Sequence, residues 1–211
     1  MDAKKLSKME KDVLREIGNI GAGNAATSLS NLINKQITME VPSVKLVTIN
    51  EMMEVIGGPE KPIAAILFRI KGEVTGTVYF VLTIDEAEEL LQQVTLNPQM
   101  NLVLSEELDQ LTASTLEETA NILTGSYLSA LADFTQLNMT TSVPYLSIDM
   151  AAASLVTGLV ELSEVSDYAI LIDTKITGTK NGEGAKGHFL LIPDPTSLTK
   201  LFASLGIESY E

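Results

Sequence analysis

The chain has no cysteine, which excludes disulfides, thiolate metal sites and a cysteine nucleophile. It has one histidine, His188, in a run that reads as a strand, so no histidine base stands beside the polar helical residues discussed below. Long hydrophobic runs are missing too. The most apolar stretches, 63–68 and 150–160, fall short of the ~20 residues that span a bilayer. The first ten residues carry no apolar segment of the kind found in a secretory signal, so a cytoplasmic protein is expected and the sequon at Asn138 has no role. Basic residues are scarce, with 14 Lys and Arg against 28 Asp and Glu and a net charge of −14. Such a polyanion repels nucleic acid and anionic membrane. It stays soluble, and it favours a partner with cationic groups around its own active site. Only 20% of residues are charged and 45% are hydrophobic, enough for a proper core in 211 residues.

What is present is a repeat. At an offset of 102, Leu14-Arg15-Glu16-Ile17-Gly18-Asn19-Ile20 falls on Leu116-Glu117-Glu118-Thr119-Ala120-Asn121-Ile122. The same offset carries Asp12 onto Ser114, Gly23 onto Gly125 and Pro42 onto Pro144. Downstream, the run from Gly76 to Leu82 resembles that from Gly187 to Pro193 at an offset of 111. The extra residues are assigned to 178–186, a Gly-, Lys- and Asn-rich stretch expected to form a long exposed hairpin loop. Residues 97–101 make a short join. One fused domain over 1–211 is therefore expected, made of two repeats, approximately 8–97 and 105–206.

Each half begins with a helical pattern. Met9, Val13, Ile17 and Ile20 predict one apolar face, and Leu108, Leu111, Thr115, Ala120 and Leu123 a weaker counterpart. Both helices are expected to run on through small residues, with Gly21 and Gly23 costing about 1 kcal/mol each relative to Ala and permitting close helix packing or a kink. Strands are predicted over 44–49, 64–70, 76–82, 145–148, 169–174 and 187–192, with turns at Gly72 and Gly182. Asn50 and Asp149 are expected to cap short helices over 51–56 and 150–162, and further helices over 85–94 and 196–205. The fold class is α/β of the α+β type. It is a two-layer structure with a largely antiparallel sheet, helices, and pseudo-two-fold symmetry from tandem duplication.

Asp12, Glu16 and Asn19 stand at i, i+4 and i+7 and lie along one helical stripe, as do Ser114, Glu118 and Asn121. A single such stripe is ordinarily a solvated face. Here the two helices have otherwise diverged, and Asn is a middling helix former, yet Glu and Asn hold the same register in both. A role outside the helix accounts for this, and so does a structural one in which the two Asn side chains cap or cross-link the helices. An Asn amide both donates and accepts hydrogen bonds, which suits it to holding a water in line with phosphorus. A neighbouring Glu can pair with a partner's lysine.

These residues carry a resemblance. Glu16-Ile17-Gly18-Asn19-Ile20-Gly21-Ala22-Gly23-Asn24-Ala25-Ala26 and the run from Asn121 to Asp133 resemble the signature of the CheC family of bacterial chemotaxis phosphatases (the CheC/CheX/FliY group). The pattern is Asp or Ser, Glu four on, Asn three further, and Pro twenty-three beyond the Asn. Both halves satisfy it, with Asp12, Glu16, Asn19 and Pro42, and with Ser114, Glu118, Asn121 and Pro144. The resemblance implies hydrolysis of the aspartyl phosphate of the response regulator CheY. The Asn would orient the attacking water, the Glu would pair with a regulator lysine, and magnesium would be held by the regulator rather than by this chain. It also implies binding of the receptor deamidase CheD around Asp149 and Met150. A monomer is expected, with no metal of its own. A non-catalytic adaptor that docks CheY or CheD is the competing class.

Residues 21–26 also match a dinucleotide fingerprint, but a charged amphipathic helix precedes them where a strand is required. The acidic clusters lack calcium-loop spacing and read as solvated helix faces.

Overall fold

In the computed structural model, residues 8–102, 109–155, 168–178 and 184–206 are described. The chain runs α1 (Lys8–Ile33), β1 (Thr38–Val47), α2 (Ile49–Ile56), β2 (Pro62–Gly72), β3 (Gly76–Thr83) and α3 (Ile84–Thr95). It continues with α4 (Gln110–Thr135), β4 (Met139–Thr141), β5 (Tyr145–Met150), a helix α5 described over 151–155, β6 (Ala169–Thr177), β7 (Ala185–Pro193) and α6 (Pro195–Ser204). The two long helices have 26 residues each, and their bounds differ by 102, the offset of the sequence repeat.

The strands form one sheet in the order β1-β6-β7-β3-β2-β4, with β5 also on β2, and every described pairing is antiparallel. β3 and β7 pair at the centre. Each is flanked by its hairpin partner, β2 or β6. The outer strands are exchanged: β1 lies against β6, and β5 against β2. Period-two alternation sorts the side chains. Ala64, Ile66 and Phe68 of β2, Phe80 of β3 and Phe189 of β7 enter the main core beneath α1, α4, α3 and α6. Ile63 and Ala65 of β2, Val81 of β3 and Leu190 of β7 enter a smaller core beneath Met52 and Ile56 of α2 and Ala151 and Leu155 of α5. The sheet thus carries helix on both faces, one thin layer more than the two expected. The alternating runs of β2 and β3 are apolar at nearly every position, which is what burial on both faces demands.

Several local expectations are corrected. Met9, Ile20 and Leu111 are exposed. Ile17 of α1 and Ala120 and Leu123 of α4 are buried as expected, and the rest of the buried faces is Leu14, Ala22, Ala25 and Leu29 on α1 and Leu116 and Tyr127 on α4. A 3.6-residue period fits both stripes in sequence, and only packing against β1 and the partner helix chooses between them. The cap of α2 is Thr48, not Asn50, in a reciprocal box with Glu51. Among the described residues Asp149 caps no helix by its side chain. It lies in β5, and its Oδ1 accepts from the Met150 N–H at 2.7 Å. The first N–H groups of α5 are spent on backbone instead, from Ala151 to Lys61 O and from Ala152 to Pro59 O. Strand β1 starts before Pro42 rather than after it, and Met150 belongs to β5. Ala185 and Lys186 belong to β7, so the β6–β7 loop is shorter than expected. Gly72 closes β2 at φ 122° as the turn reading requires, whereas Leu108 and Gly182 lie outside the described residues.

α1 is continuous through Gly21-Ala22-Gly23. A Cβ on Gly21 would sit 2.9 Å from Tyr127 Cα, so this glycine is what lets the two long helices touch; Gly23 has nothing within 4 Å and serves no such contact. Tyr127, packed in that contact, lies tilted by 54° against Phe189 with ring centroids 4.6 Å apart, and its hydroxyl meets Thr174 Oγ1 at 3.1 Å. Burial pushes that phenol up to about 12.

Candidate functional site

The long helices run antiparallel. Gly21 meets Tyr127 near the middle, while Leu32 and Ile33 at the end of α1 line a groove with Ser114, Thr115, Glu118 and Thr119 near the start of α4. With their buried faces turned to each other and to the sheet, the opposite stripes face outward. Asp12, Glu16 and Asn19 are exposed on α1. Ser114 and Glu118 are exposed on α4, and Asn121 is half-buried. Neither Asn is sealed in the core. The structure therefore brings each predicted triplet onto one accessible face. The two triplets sit toward opposite ends of the helix pair, so they make two separate sites rather than one composite. Of the supporting residues, Pro42 is exposed and Pro144 half-buried.

Within the first site, Arg15 Nη2 donates to Asp12 Oδ1 at 3.1 Å, an exposed i,i+3 pair. The Val41 N–H donates to Asn19 Oδ1 at 3.2 Å. This bond was not legible in advance, but its components were. Gly18 precedes Asn19, and a Cβ there would lie 3.3 Å from Val41 Cγ1. Pro42 follows Val41. At the same place the β1–β6 register slips between Glu40 and Ser43, setting Val41 and Pro42 of β1 opposite Thr174 alone. In the second site, Ala120 stands where Gly18 does. Val143, the counterpart of Val41, is 84% exposed where Val41 is 4%. The strand is interrupted over 142–144, between β4 and β5. Among the described residues Asn121 makes no side-chain hydrogen bond.

Asp149 and Met150 are both exposed at the end of β5, which pairs with β2 and no other described strand. Among the described residues no group of three or more His, Asp or Glu is arranged to hold a metal, and no helix is long and apolar enough to cross a membrane.

One polar cluster lies elsewhere, and only its histidine drew notice in the sequence. On the sheet face opposite the long helices, Asp173 of β6 accepts from Ser43 of β1 and lies 2.9 Å from His188 Nδ1 of β7, with Lys45 Nζ at 3.5 Å. The hydrogen bond from His188, then that from Ser43, then the charges of His188 and Lys45 hold the Asp173 carboxyl down to about 2, against the opposing effect of burial. Asp173 stands between Ser43 and His188. Among the described residues no histidine touches the serine, whose hydroxyl is held by the low-pKa Asp173 carboxylate, so this is a structural ladder across three strands and not a nucleophile relay.

With the geometry in place, comparison with known proteins supplies the class. The CheC-like family model matches residues 9–46 and again 111–148, two segments that bracket the two stripes. Over 197 residues the chain is 41% identical to the CheY-P phosphatase CheC of Bacillus subtilis, spanning 93% of this chain and 94% of that protein. This chain belongs to the CheC-like family. A shorter match, 39% identity over 54 residues, joins it to the flagellar motor switch phosphatase FliY of the same organism, covering 26% of this chain and 14% of that one. Among solved structures, FliY of Thermotoga maritima superposes with a TM-score of 0.73 at 20% identity, covering 97% of this chain and 99% of that chain. The FliM middle domain of H. pylori gives 0.65 at 12%, covering 94% and 99%. These two show a shared fold.

Proposed function

We propose that this chain hydrolyses the aspartyl phosphate of phosphorylated CheY at two sites, Glu16 with Asn19 and Glu118 with Asn121. The observation that carries the reading is exposure. Both Glu side chains and Asn19 stand open on α1 and α4, and Asn121 is half open. A family relative of nearly equal length that is a CheY-P phosphatase supports the same substrate.

The chain supplies no nucleophile and needs none. An acyl phosphate on the partner is attacked by water, with magnesium held by the partner neutralising the phosphoryl oxygens. The attacking water must aim a lone pair at phosphorus and direct its protons elsewhere. A carboxamide oxygen accepts a hydrogen bond from the water, and the amide nitrogen donates one to an oxygen of the reacting group. The carboxylate beside it takes a lysine ammonium of the partner, fixing register in a charge-assisted contact. The net charge of −14 favours a partner whose active site is rimmed with cations. Asp12 and Ser114 begin each stripe, and Pro42 and Pro144 shape the strand segments beside them. The repeated Glu/Asn register, the equal helix lengths and the doubled family match together support descent of the two halves from one repeated unit within a single domain.

The test is phosphate release from phosphorylated CheY in magnesium. The protein should accelerate it, and Asn19→Ala combined with Asn121→Ala should return the rate to that of CheY alone with the circular dichroism unchanged. Full activity in the double variant would remove both Asn residues from the chemistry, and no acceleration by the parent protein would leave the adaptor reading in its place.

Docking of CheD at Asp149 and Met150 is a second part of the proposal, supported by the exposure of both side chains at the edge of the sheet. Changing both to Ala should weaken CheD capture while phosphate release stays intact. A cytoplasmic location and a monomeric state complete the reading, the latter checked by sedimentation.

A further inference from the structure

We infer that the bulge of β1 is a positioning device for the first site, in which the Val41 N–H, turned out of the strand ladder, fixes the Asn19 carboxamide in the orientation needed to hold water. The inference rests on the reading of Asn19 as the water-orienting residue, and it reaches beyond that reading to a backbone group.

A regular edge strand would keep Val41 in step with β6. Here two residues of β1 oppose Thr174, and Pro42, which has no N–H to lose, occupies the second place in the bulge. Val41's side chain turns into the core, 4% exposed, and packs where Gly18 has no Cβ. Its N–H then reaches Asn19 Oδ1 at 3.2 Å.

Three consequences follow for the amide. A flipped carboxamide would set Nδ2–H against the Val41 N–H, donor against donor, so one orientation is selected. Oδ1 keeps a second lone pair, which can accept a hydrogen bond from the attacking water. Among the described residues neither Nδ2 hydrogen has an acceptor, so both are open to the partner. The rotamer is chosen before the partner arrives, so its ordering entropy is not charged to the reacting complex. In the first half the spacing of Asn and Pro thereby acquires a physical reason, since Pro42 marks the bulge that frees the donor one residue before it.

The test removes that one hydrogen. Replacing Val41 by its α-hydroxy acid turns the amide into an ester and leaves the side chain alone. It is made in the full chain carrying Glu118→Ala and Asn121→Ala, so that only the first site operates. With phosphorylated CheY and magnesium, kcat is expected to fall about five- to tenfold, the size of one lost neutral hydrogen bond, with KM unchanged. Side-chain amide relaxation of Asn19 in the free protein should change from ordered to mobile. An ester variant that keeps the parent's kcat, or an Asn19 amide equally mobile in both proteins, overturns the inference. If the parent itself fails to hydrolyse, the assignment of catalysis to the first site falls, and the relaxation measurement alone decides whether Val41 positions the amide.

Discussion

The two ends of the helix pair hold the same polar stripe on different supports. At the first, Asn19 is tied to Val41 by a backbone donor, and Gly18 lets the strand close in. At the second, Ala120 replaces the glycine, Val143 is exposed and the strand is broken, and among the described residues the Asn121 amide has no hydrogen-bond partner. The flanks of the sheet differ in the same way. Ser43, Asp173 and His188 sit side by side across β1, β6 and β7, while Tyr145, Leu67 and Tyr79 occupy the matching row across β5, β2 and β3. The Glu/Asn register is the same at both ends, while the positions around it differ and each flank fills or satisfies the space in its own way.

The sharpest way to break the comparison is to remove the two Asn residues in turn. The double Ala variant should lose at least about a hundredfold in phosphate release, the usual cost of removing a preorganised hydrogen-bonding group from a reacting centre. Each single variant should keep measurable turnover through the other site. A single variant already at background would mean that only one end works. The helix contact comes next. Gly21→Ala drives a Cβ into Tyr127 and should lower stability by about 1–3 kcal/mol in urea melts. Gly125→Ala meets nothing within 4 Å and should raise it by up to about 1 kcal/mol. Equal effects would deny that the close approach lies at Gly21.

A smaller effect separates the two sheet flanks. Asp173 titrates below its unfolded value of 3.8, so its contribution is fully present above that pH and is lost as pH falls through about 2. Asp173→Asn should therefore cost about 1–2 kcal/mol at neutral pH and flatten the acid limb between pH 4 and about 2, seen by acid unfolding. Phosphate release should be unaffected, because the cluster lies across the sheet from α1 and α4. Smallest of all, Asp12→Ser gives the first stripe the second one's leading residue. It removes only an exposed pair with Arg15 and should change turnover by less than about twofold.

Much of this architecture was legible because the repeat and the periodicities agreed. The helix, strand, helix, strand, strand, helix order of each half, the two long helices and the outward Glu/Asn stripes all follow from spacing. Which apolar stripe of α1 is buried was not legible, because Met9 and Ile20 share the helical period with Ile17 and only tertiary contacts exclude them. Asn50 and Thr48 are both good capping residues, and only the reciprocal bond with Glu51 in the folded chain decides for Thr48. The second, thin helical layer was hinted at by the uninterrupted apolar run of β2. The Val41 donor is a backbone group, and no side-chain pattern can announce a backbone group except through the glycine and proline that surround it.

The exchange of outer strands has a consequence for how such a molecule can come into being. A chain of one half alone would own a hairpin with a bare edge and a first strand with no hairpin to join. Its cheapest repair would be a second copy donating its own first strand in return, a closed and symmetric pair. In the tethered form that reciprocal loan becomes internal. The first strand must wait for β6, more than a hundred residues downstream, before it is sealed, so the sheet closes late and both halves are released or captured together.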